Sequence, residues 1–293
     1  MALNFHRTSF ICANPRCNKR VSKIHLWFSP LVPLVLNGEN YCSENCLRPQ
    51  LQNILSDAVI NRSLAFASAH RSTIGLVLLD YNIISLAQLN DVLMRQRMGD
   101  NRYLGEIIVS LGYATEQQVT LALSKQEGLP WVDLEQQAID PSILSRIPRA
   151  VVFFSLIHPL DFDPILDELS IIAAAPLDRT SLEAIRQVNH FRINCFISPE
   201  SKVRKLIRKN YGEVVPESLL QMKTILKPDD LYQFREELIR EYKTTAATGM
   251  NVYACLHFIW IHFYSPKGTT DKFYSCQKPS DSNIYRPSLP KMA

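Results

Sequence analysis

Glycine is scarce in this sequence, in which only 9 of 293 residues are glycine. The glycine-rich strings that bind phosphates, G-x-x-x-x-G-K-[ST] and G-x-G-x-x-G, do not occur in it. The strings G-x-S-x-G and H-E-x-x-H, which mark common hydrolases, are absent as well. These absences argue against an NTPase, a dinucleotide-dependent dehydrogenase and the common hydrolases. We therefore expect a protein that is not an enzyme and has no catalytic residue.

The sequence also lacks a long hydrophobic run and a strong net charge. The longest apolar run, residues 250–264, contains His257 and His262 and is shorter than the ~20 residues that cross a bilayer. Residues 1–9 are polar, unlike the apolar region of a secretory signal. A net charge of +4 is too small to indicate nucleic acid or an anionic membrane as an obligatory partner. We expect a cytoplasmic location without membrane insertion.

Cysteines are more informative, because four of the seven lie in one N-terminal window. Cys12 and Cys17 flank an Asn-Pro turn, while Cys42 and Cys46 stand at the start of a helix predicted over residues 47–60. Two thiolates from a turn and two from a helix start complete the tetrahedral shell of a structural zinc ion. The pattern therefore predicts zinc at Cys12, Cys17, Cys42 and Cys46, with four unrelated buried thiols as the alternative.

One part of this window has a family resemblance. The stretch 41–46, Tyr-Cys-Ser-Glu-Asn-Cys, resembles the second half of treble-clef zinc modules. His25 is a candidate substitute ligand, but a single histidine between Ile24 and Leu26 is more typical of packing.

A repeat with a period of 30 residues occupies the middle of the chain. Residues 73–84 align with residues 103–114, and the match continues to Gln96 and Gln126. Each unit predicts a short helix that stops at Asn82 or Gly112, followed by a helix that starts at Ser85 or Thr115. The pattern thus predicts two helical hairpins, and on periodicity alone it is equally typical of a plain helical bundle.

The repeat resembles the N-terminal, MshEN-type domain of type II secretion and type IV pilus assembly ATPases. The motif is a hydrophobic-Gly start, paired aliphatics, a Gly or Asn stop, and then L-x-x-x-L-x-x-Q. The resemblance continues through residues 127–134, 139–141, 147–148, 171–178, 203–207 and 211–212. The ATPases carry a Walker A motor after this domain, whereas no Walker A string follows residue 213 here.

Tandem motifs of this family bind cyclic di-GMP in some members, so the resemblance implies a ligand site. An Arg opens each motif in the family, whereas Thr73 and Tyr103 stand at those places here, with Arg71 and Arg102 close upstream. The resemblance leaves nucleotide binding open beside a purely structural or protein-docking role. The implied binding residues are Arg71, Gly75, Leu79, Leu89, Leu93, Gln96, Arg102, Tyr103, Gly105, Gly112, Leu123 and Gln126.

The segment after the repeat is expected to mix strands and helices. Residues 177–188 have helical spacing, while 169–173 and 193–197 have the composition of strands. Residues 151–159 are expected to pair with 169–173 in a hairpin that turns at 161–164. The acidic side chains in this region indicate a surface loop more than a cation site. They are Asp161, Asp163, Asp167 and Glu168.

The C-terminal part predicts a helix over residues 228–243, followed by an aromatic run. The helix places Leu231, Phe234, Leu238 and Ile239 on one face. The aromatic run at 253–264 indicates an added strand or a partner-docking patch, and low order near the terminus is an alternative.

Together these patterns predict an α+β protein with a small zinc module, tandem helical hairpins and a small α+β subdomain. The expected segments are 1–60 for zinc, 61–127 for the repeat, 128–214 for the α+β subdomain and 215–293 for a helix with a poorly defined tail.

Two functional hypotheses follow. The first is a non-enzymatic regulator or adaptor that docks a protein partner, with a secretion or pilus ATPase or an inner-membrane platform protein as candidates, and that leaves cyclic di-GMP binding open. The second is a zinc-containing nucleic-acid-binding protein. It depends on two basic clusters, which are Arg16, Lys19, Arg20 and Lys23, and Lys202, Arg204, Lys205, Arg208 and Lys209. Each cluster is more typical of a solvated face.

Overall fold

The fold comes from a computed structural model of the protein. The structure describes residues 9–22, 33–60, 74–100, 102–133, 139–174, 177–212, 228–255 and 258–275. The chain divides into two units, of which the first combines Met1–Ala67 with Pro216–Ala293 and the second is Ser68–Val215. Among the described residues, no helix has the length and apolar character needed to cross a membrane.

The elements follow one another along the chain in this order. The N-terminal part contains β1 (Phe10–Ile11), β2 (Arg20–Val21), β3 (Leu34–Leu36), β4 (Glu39–Tyr41) and α1 (Glu44–Ile60). The middle contains α2 (Ile74–Asp80), α3 (Leu86–Arg97), α4 (Leu104–Ser110), α5 (Glu116–Glu127), a 3₁₀ turn (Pro141–Arg146), α6 (Arg149–Ser155), β5 (Ile157–Asp163), β6 (Glu168–Ala174), α7 (Arg179–Asn189), β7 (Arg192–Ser198) and α8 (Glu200–Tyr211). The C-terminal part contains α9 (Pro228–Thr244), β8 (Gly249–Ala254), β9 (Phe258–Ser265) and β10 (Gly268–Ser275).

In its described residues, the first unit contains a five-stranded sheet, the two-stranded β1–β2 sheet and two helices, built from both ends of the chain. The strands of the five-stranded sheet pair in the order β10-β9-β8-β3-β4, and β3 joins β8 in parallel at Leu36 and Met250. Helices α1 and α9 share a core with the sheet, in which Leu51, Phe234 and Ile261 are buried. The sequence divides residues 1–60 and 215–293 into separate segments, whereas the structure groups them in one unit. A two-stranded β3–β4 ribbon cannot bury an apolar face alone, and the C-terminal strands supply the rest of the sheet.

The aromatic C-terminal run forms strands, as one of the two sequence interpretations expected. β9 pairs antiparallel with β8 and with β10 along its length. Trp260 and Phe263 are fully buried or nearly so. The predicted helix at 228–243 is confirmed, and all four of its predicted apolar positions are buried.

The second unit begins with the two predicted helical hairpins. Asn82 and Gly112 end the first helices with positive φ of 53° and 69°. Ser85 and Thr115 each form a capping box, in which the side chain accepts the backbone N–H three residues on. The two hairpins share one core, which includes Leu78, Val92 and Ile107. Each hairpin therefore buries its apolar face against the other.

The α+β subdomain follows the hairpins. β5 and β6 pair antiparallel, whereas β6 and β7 run in parallel with α7 as the connection between them. Trp131 extends this sheet through a parallel bridge to Ile197. The α+β class and the strand at 193–197 are confirmed.

The strand predicted over residues 151–159 is confirmed at 157–159, which pair with 171–173, and was wrong over 151–155. Residues 151–155 belong to helix α6, which starts after Pro148 and stops at Leu156 in a left-handed conformation with φ of 49°. Every residue from 150 to 155 is buried. A run that is apolar on all sides carries no period that separates a helix from a strand.

The predicted hairpin turn lies slightly later in the chain than expected, at residues 164–167. Its acidic residues lie in or beside a surface loop, as predicted. The Asp163 carboxylate accepts the backbone N–H groups of Ile165 and Leu166 at 2.8 and 3.1 Å. In the part of the chain that the structure describes, the acidic turn is not among the groups arranged to hold a metal ion.

Candidate metal centre and repeat site

The four predicted cysteine ligands meet at one point of the first unit. Their Sγ atoms all lie within 4.8 Å of one another. The Cys42 Sγ is 3.7 Å from the Cys17 Sγ and 3.6 Å from the Cys46 Sγ. A tetrahedral zinc ion with Zn–S bonds of about 2.3 Å separates its sulfurs by roughly 3.8 Å. The donor set and its spacing therefore fit zinc.

Local backbone contacts hold the cysteines in place. Asn14 makes the first turn, since its side-chain oxygen accepts the Arg16 N–H at 2.9 Å. Its amide also donates to the Cys46 carbonyl at 3.0 Å, which ties the turn to the first turn of α1. The Cys12 N–H donates to the Lys19 carbonyl and closes the β1–β2 loop. Hydrogen bonds of the protein itself thus fix the two cysteine-bearing segments against each other.

Burial disfavours the thiolate form of Cys42 and Cys46. Burial raises the pKa of Cys42 to about 12, with hydrogen bonds from the neighbouring thiols adding to the effect. A backbone hydrogen bond near Lys19 lowers the pKa of Cys17. Burial also raises the pKa of Cys46. A divalent cation compensates the cost of burying thiolates, so occupancy is expected to fall as the pH falls.

The two repeat glycines are explained by packing between helices. A Cβ on Gly75 would stand 2.6 Å from Leu89 Cδ1, and a Cβ on Gly105 would stand 2.8 Å from Val119 Cγ1. Leu89 is buried in the hairpin core, and Leu79, Leu93 and Leu123 pack against that core. Most of the apolar positions implied by the resemblance are therefore used within the hairpins.

The polar positions of the first motif are also engaged within the chain. The Gln96 amide donates to the Arg102 carbonyl at 2.9 Å. The Arg102 guanidinium pairs with Asp100 at 2.6 Å, and this hydrogen bond lowers the pKa of Asp100 to about 2. These contacts brace the link between the two repeats. Arg71 lies outside the described residues.

Two positions of the second motif retain polar atoms without this bracing. The Gln126 Oε1 atom is buried and has no hydrogen-bond partner among the described residues. Tyr103 is the N-terminal cap residue of α4, and burial raises the pKa of its phenol, with a further contribution from Glu106. Gly112 stands in open space at the helix stop.

Sequence reasoning missed the contact between α5 and the α+β subdomain. The Glu116 carboxylate accepts the backbone N–H of Ser201 at 2.9 Å and so caps α8 from another element. At the opposite end of α5, Glu127 pairs with Arg179 at the start of α7. A carboxylate in a first helical turn ordinarily indicates an interaction with its own helix dipole, so the sequence carried no signal for this contact.

A buried polar cluster was also missed. Asp178 caps α7, and its carboxylate accepts the hydroxyls of Ser155 and Ser181 at 2.9 and 2.5 Å. The cluster joins the end of α6 to the start of α7, so its role is structural.

The basic residues of α8 are partly neutralised. Lys202 pairs with Asp133, and Arg204 pairs with Glu200 at 2.6 Å. These pairs reduce the free positive charge on which the nucleic-acid interpretation depends.

Comparison with known proteins finds a similar domain family, similar curated proteins and similar solved structures. Residues 127–217 match the MshEN domain family. The chain is 25% identical over 143 residues to the type IV pilus assembly ATPase PilB of Myxococcus xanthus. This match covers 49% of this chain and 25% of PilB. Similar solved structures include MshE with cdg, at 27% identity and a TM-score of 0.43, and the N-terminal domain of XpsE, at 19% identity and a TM-score of 0.34. The match to MshE covers 48% of this chain and 100% of the MshE chain. The match to XpsE covers 48% of this chain and 98% of the XpsE chain.

The chain therefore spans about a quarter of the length of its PilB relative. The matched residues begin at the last residue of α5 and include the whole α+β subdomain. No Walker A string occurs in the 293 residues. Residues 127–217 are thus similar to the MshEN domain family, and about half of the chain is similar to a type IV pilus assembly ATPase.

Proposed function

We propose that this chain is a cytoplasmic, non-enzymatic regulator or adaptor that docks a protein of a type II secretion or type IV pilus machine. One observation carries the proposal: the two repeat glycines and the described polar positions of the first motif are occupied by intramolecular contacts. Gly75 and Gly105 serve helix packing, and Gln96 braces the link between repeats. A motif engaged in this way suits a rigid docking module.

The test is direct binding of the zinc-loaded full chain to two candidate partners, an assembly ATPase and an inner-membrane platform protein from the same genome. We expect one of them to bind with a micromolar or lower Kd. We also expect Gln126→Ala to bind equally well, because this proposal assigns no partner contact to that side chain. Absence of binding to both proteins, measured by interferometry at 100 µM, would contradict the adaptor role.

The four cysteines support a structural zinc ion in this proposal. Four protein thiolates close the coordination shell and leave no open position for a substrate. The ion would supply folding free energy to the first unit, because Cys12, Cys17, Cys42 and Cys46 come from two separate segments.

Cyclic di-GMP binding is a second candidate, and one observation favours it. Gln126 keeps a buried, unpartnered Oε1 among the described residues, and Tyr103 of the same repeat is half-buried and offers an aromatic face. The motif arginines are replaced, and each lost bidentate contact removes about 1–3 kcal/mol.

Isothermal titration of cyclic di-GMP into the full chain tests this candidate. Saturable binding that is lost in Gln126→Ala and kept in the exposed control Gln117→Ala would establish the nucleotide as the ligand. Absence of heat at 200 µM ligand would leave the docking role alone.

A further inference from the structure

One side of helix α3 exposes apolar side chains to solvent. Leu86, Met94 and Met98 are 63%, 54% and 79% exposed. Ala87 and Arg97 are exposed beside them. At about 100° per residue, these five side chains share roughly 120° of the helix circumference. They are called the α3 face below.

The second copy of the repeat has a helix equivalent to α3, and its corresponding side is covered. The equivalent positions 30 residues later belong to α5, where the same side contacts the α+β subdomain. Glu116 caps α8, Ser124 donates to the Leu129 carbonyl at 2.7 Å, and Glu127 pairs with Arg179. The second repeat therefore covers this side within the chain. The first repeat leaves it exposed and carries the apolar Leu86 and Met94 at the positions of Glu116 and Ser124.

The α3 face also carries an available positive charge. Arg97 stands at the position equivalent to Glu127 and forms no ion pair within the described part of the chain. Its neighbour Arg95 is paired with Asp91 at 3.2 Å. A matching surface must therefore combine exposed aliphatic side chains with negative charge.

The β5–β6 turn of the α+β subdomain has these properties. Ile165 and Leu166 are 91% and 56% exposed at its tip. Asp163 and Asp167 flank them, and residues 163–167 contain no cation. The Asp163 carboxylate fixes the turn through its bonds to the two N–H groups, so the aliphatic pair is held outward at little further entropic cost.

We propose that the β5–β6 turn of a second copy of this chain docks on the α3 face. Ile165 and Leu166 contact the apolar side chains, and an aspartate meets Arg97. The two surfaces differ, so the contact is head-to-tail, and each dimer keeps one free face and one free turn. Assembly then extends along a row or closes into a ring. This inference does not depend on the proposed partner.

The test uses sedimentation equilibrium of the zinc-loaded full chain from 1 to 500 µM. A face variant carries Met94→Asp and Met98→Asp, and a turn variant carries Ile165→Ser and Leu166→Ser. We expect the wild-type average mass to rise with concentration and each variant to associate at least about tenfold more weakly. An equal mixture of the two variants should stop at a dimer, because only one intact face and one intact turn remain to pair.

The control is Leu121→Ser, which removes an exposed apolar side chain of α5 outside both surfaces. It should associate as the wild type does, and circular dichroism should show that all variants fold. A wild type that is monomeric at 500 µM, a control as weak as the face variant, or a mixture that remains monomeric would each overturn the proposal.

Discussion

In the first unit, residues that hold each other lie about two hundred positions apart. The Val35 N–H donates to the Tyr242 hydroxyl, and the Val252 N–H donates to the Asn37 side chain, across separations of 207 and 215 residues. In the second unit, the second helix of each hairpin begins with a capping box between residues three positions apart, at Ser85 and at Thr115. The first unit thus depends on distant segments and a cysteine cluster, whereas the second forms from a continuous segment. The two should respond differently to metal, acid and substitution.

Metal removal should produce the largest difference between the units. Structural zinc contributes about 10–16 kcal/mol to folding in small zinc modules. We expect one zinc per chain, and Cys42→Ser or a strong chelator should abolish amide protection in residues 33–60 and 228–275. Hydrogen exchange read by mass spectrometry should show residues 74–133 still protected. Cys195→Ser, a buried thiol outside the cluster, should keep the metal.

Less than half an equivalent of zinc in purified protein would contradict the four-thiolate site. Loss of protection in both units would break the comparison itself.

Acid should also weaken the second unit, through a buried histidine, in addition to any loss of zinc from the first unit. Burial lowers the pKa of His158 to about 4, and the Asn210 amide lies 3.0 Å from its Nε2 atom. The unfolded pKa is about 6.5, so the unfolded state binds more protons between pH 6.5 and 4. Stability from this group is therefore full above pH 6.5 and falls by on the order of 3 kcal/mol toward pH 4.

The measurement is the free energy of unfolding of the second unit against pH, with wild type compared with His158→Gln. The variant should lose most of the slope between pH 6.5 and 4. His190→Asn is the matched control, because it removes an exposed imidazole and suits the left-handed cap at that position. An unchanged slope in His158→Gln would refute the assignment.

The close packing of the hairpins should show an intermediate effect. Gly75→Ala places a Cβ 2.6 Å from Leu89 Cδ1, and overpacking of this kind costs about 1–3 kcal/mol. Chemical denaturation should report this loss, and Leu89→Val should recover part of it in a double-mutant cycle. Equal losses with and without Leu89→Val would mean that the glycine serves something other than this contact.

The smallest effects are expected at the caps. Ser85→Ala and Thr115→Ala should each cost about 1 kcal/mol, because each removes the oxygen that accepts a free N–H of its helix. Ser85→Asp should retain the cap and serves as the control. A clear difference between the two alanine variants would indicate that the repeats are not equivalent.

Some of these features could be predicted from the sequence and others could not. The cysteines, the caps and the helix stops at Asn82 and Gly112 have local signals, since residue type alone fixes their chemistry. The helix at 151–155 has none, because a buried run lacks a period. The pairing of Leu36 with Met250 was missed because strand partners far apart in sequence leave no local mark. Glu116 was missed because its partner, Ser201, lies in another element.

The parallel pairing of β3 with β8 also sets an order of events during protein synthesis. The last cysteine ligand, Cys46, leaves the ribosome long before the strand that ends at Ser275. At about 5–20 residues per second, the interval is roughly 10–50 s. The second unit, Ser68–Val215, is synthesised within that interval. The sheet of the first unit is complete only when translation reaches the C-terminal strands, so a chain stalled before residue 249 would carry a finished second unit and an open first one.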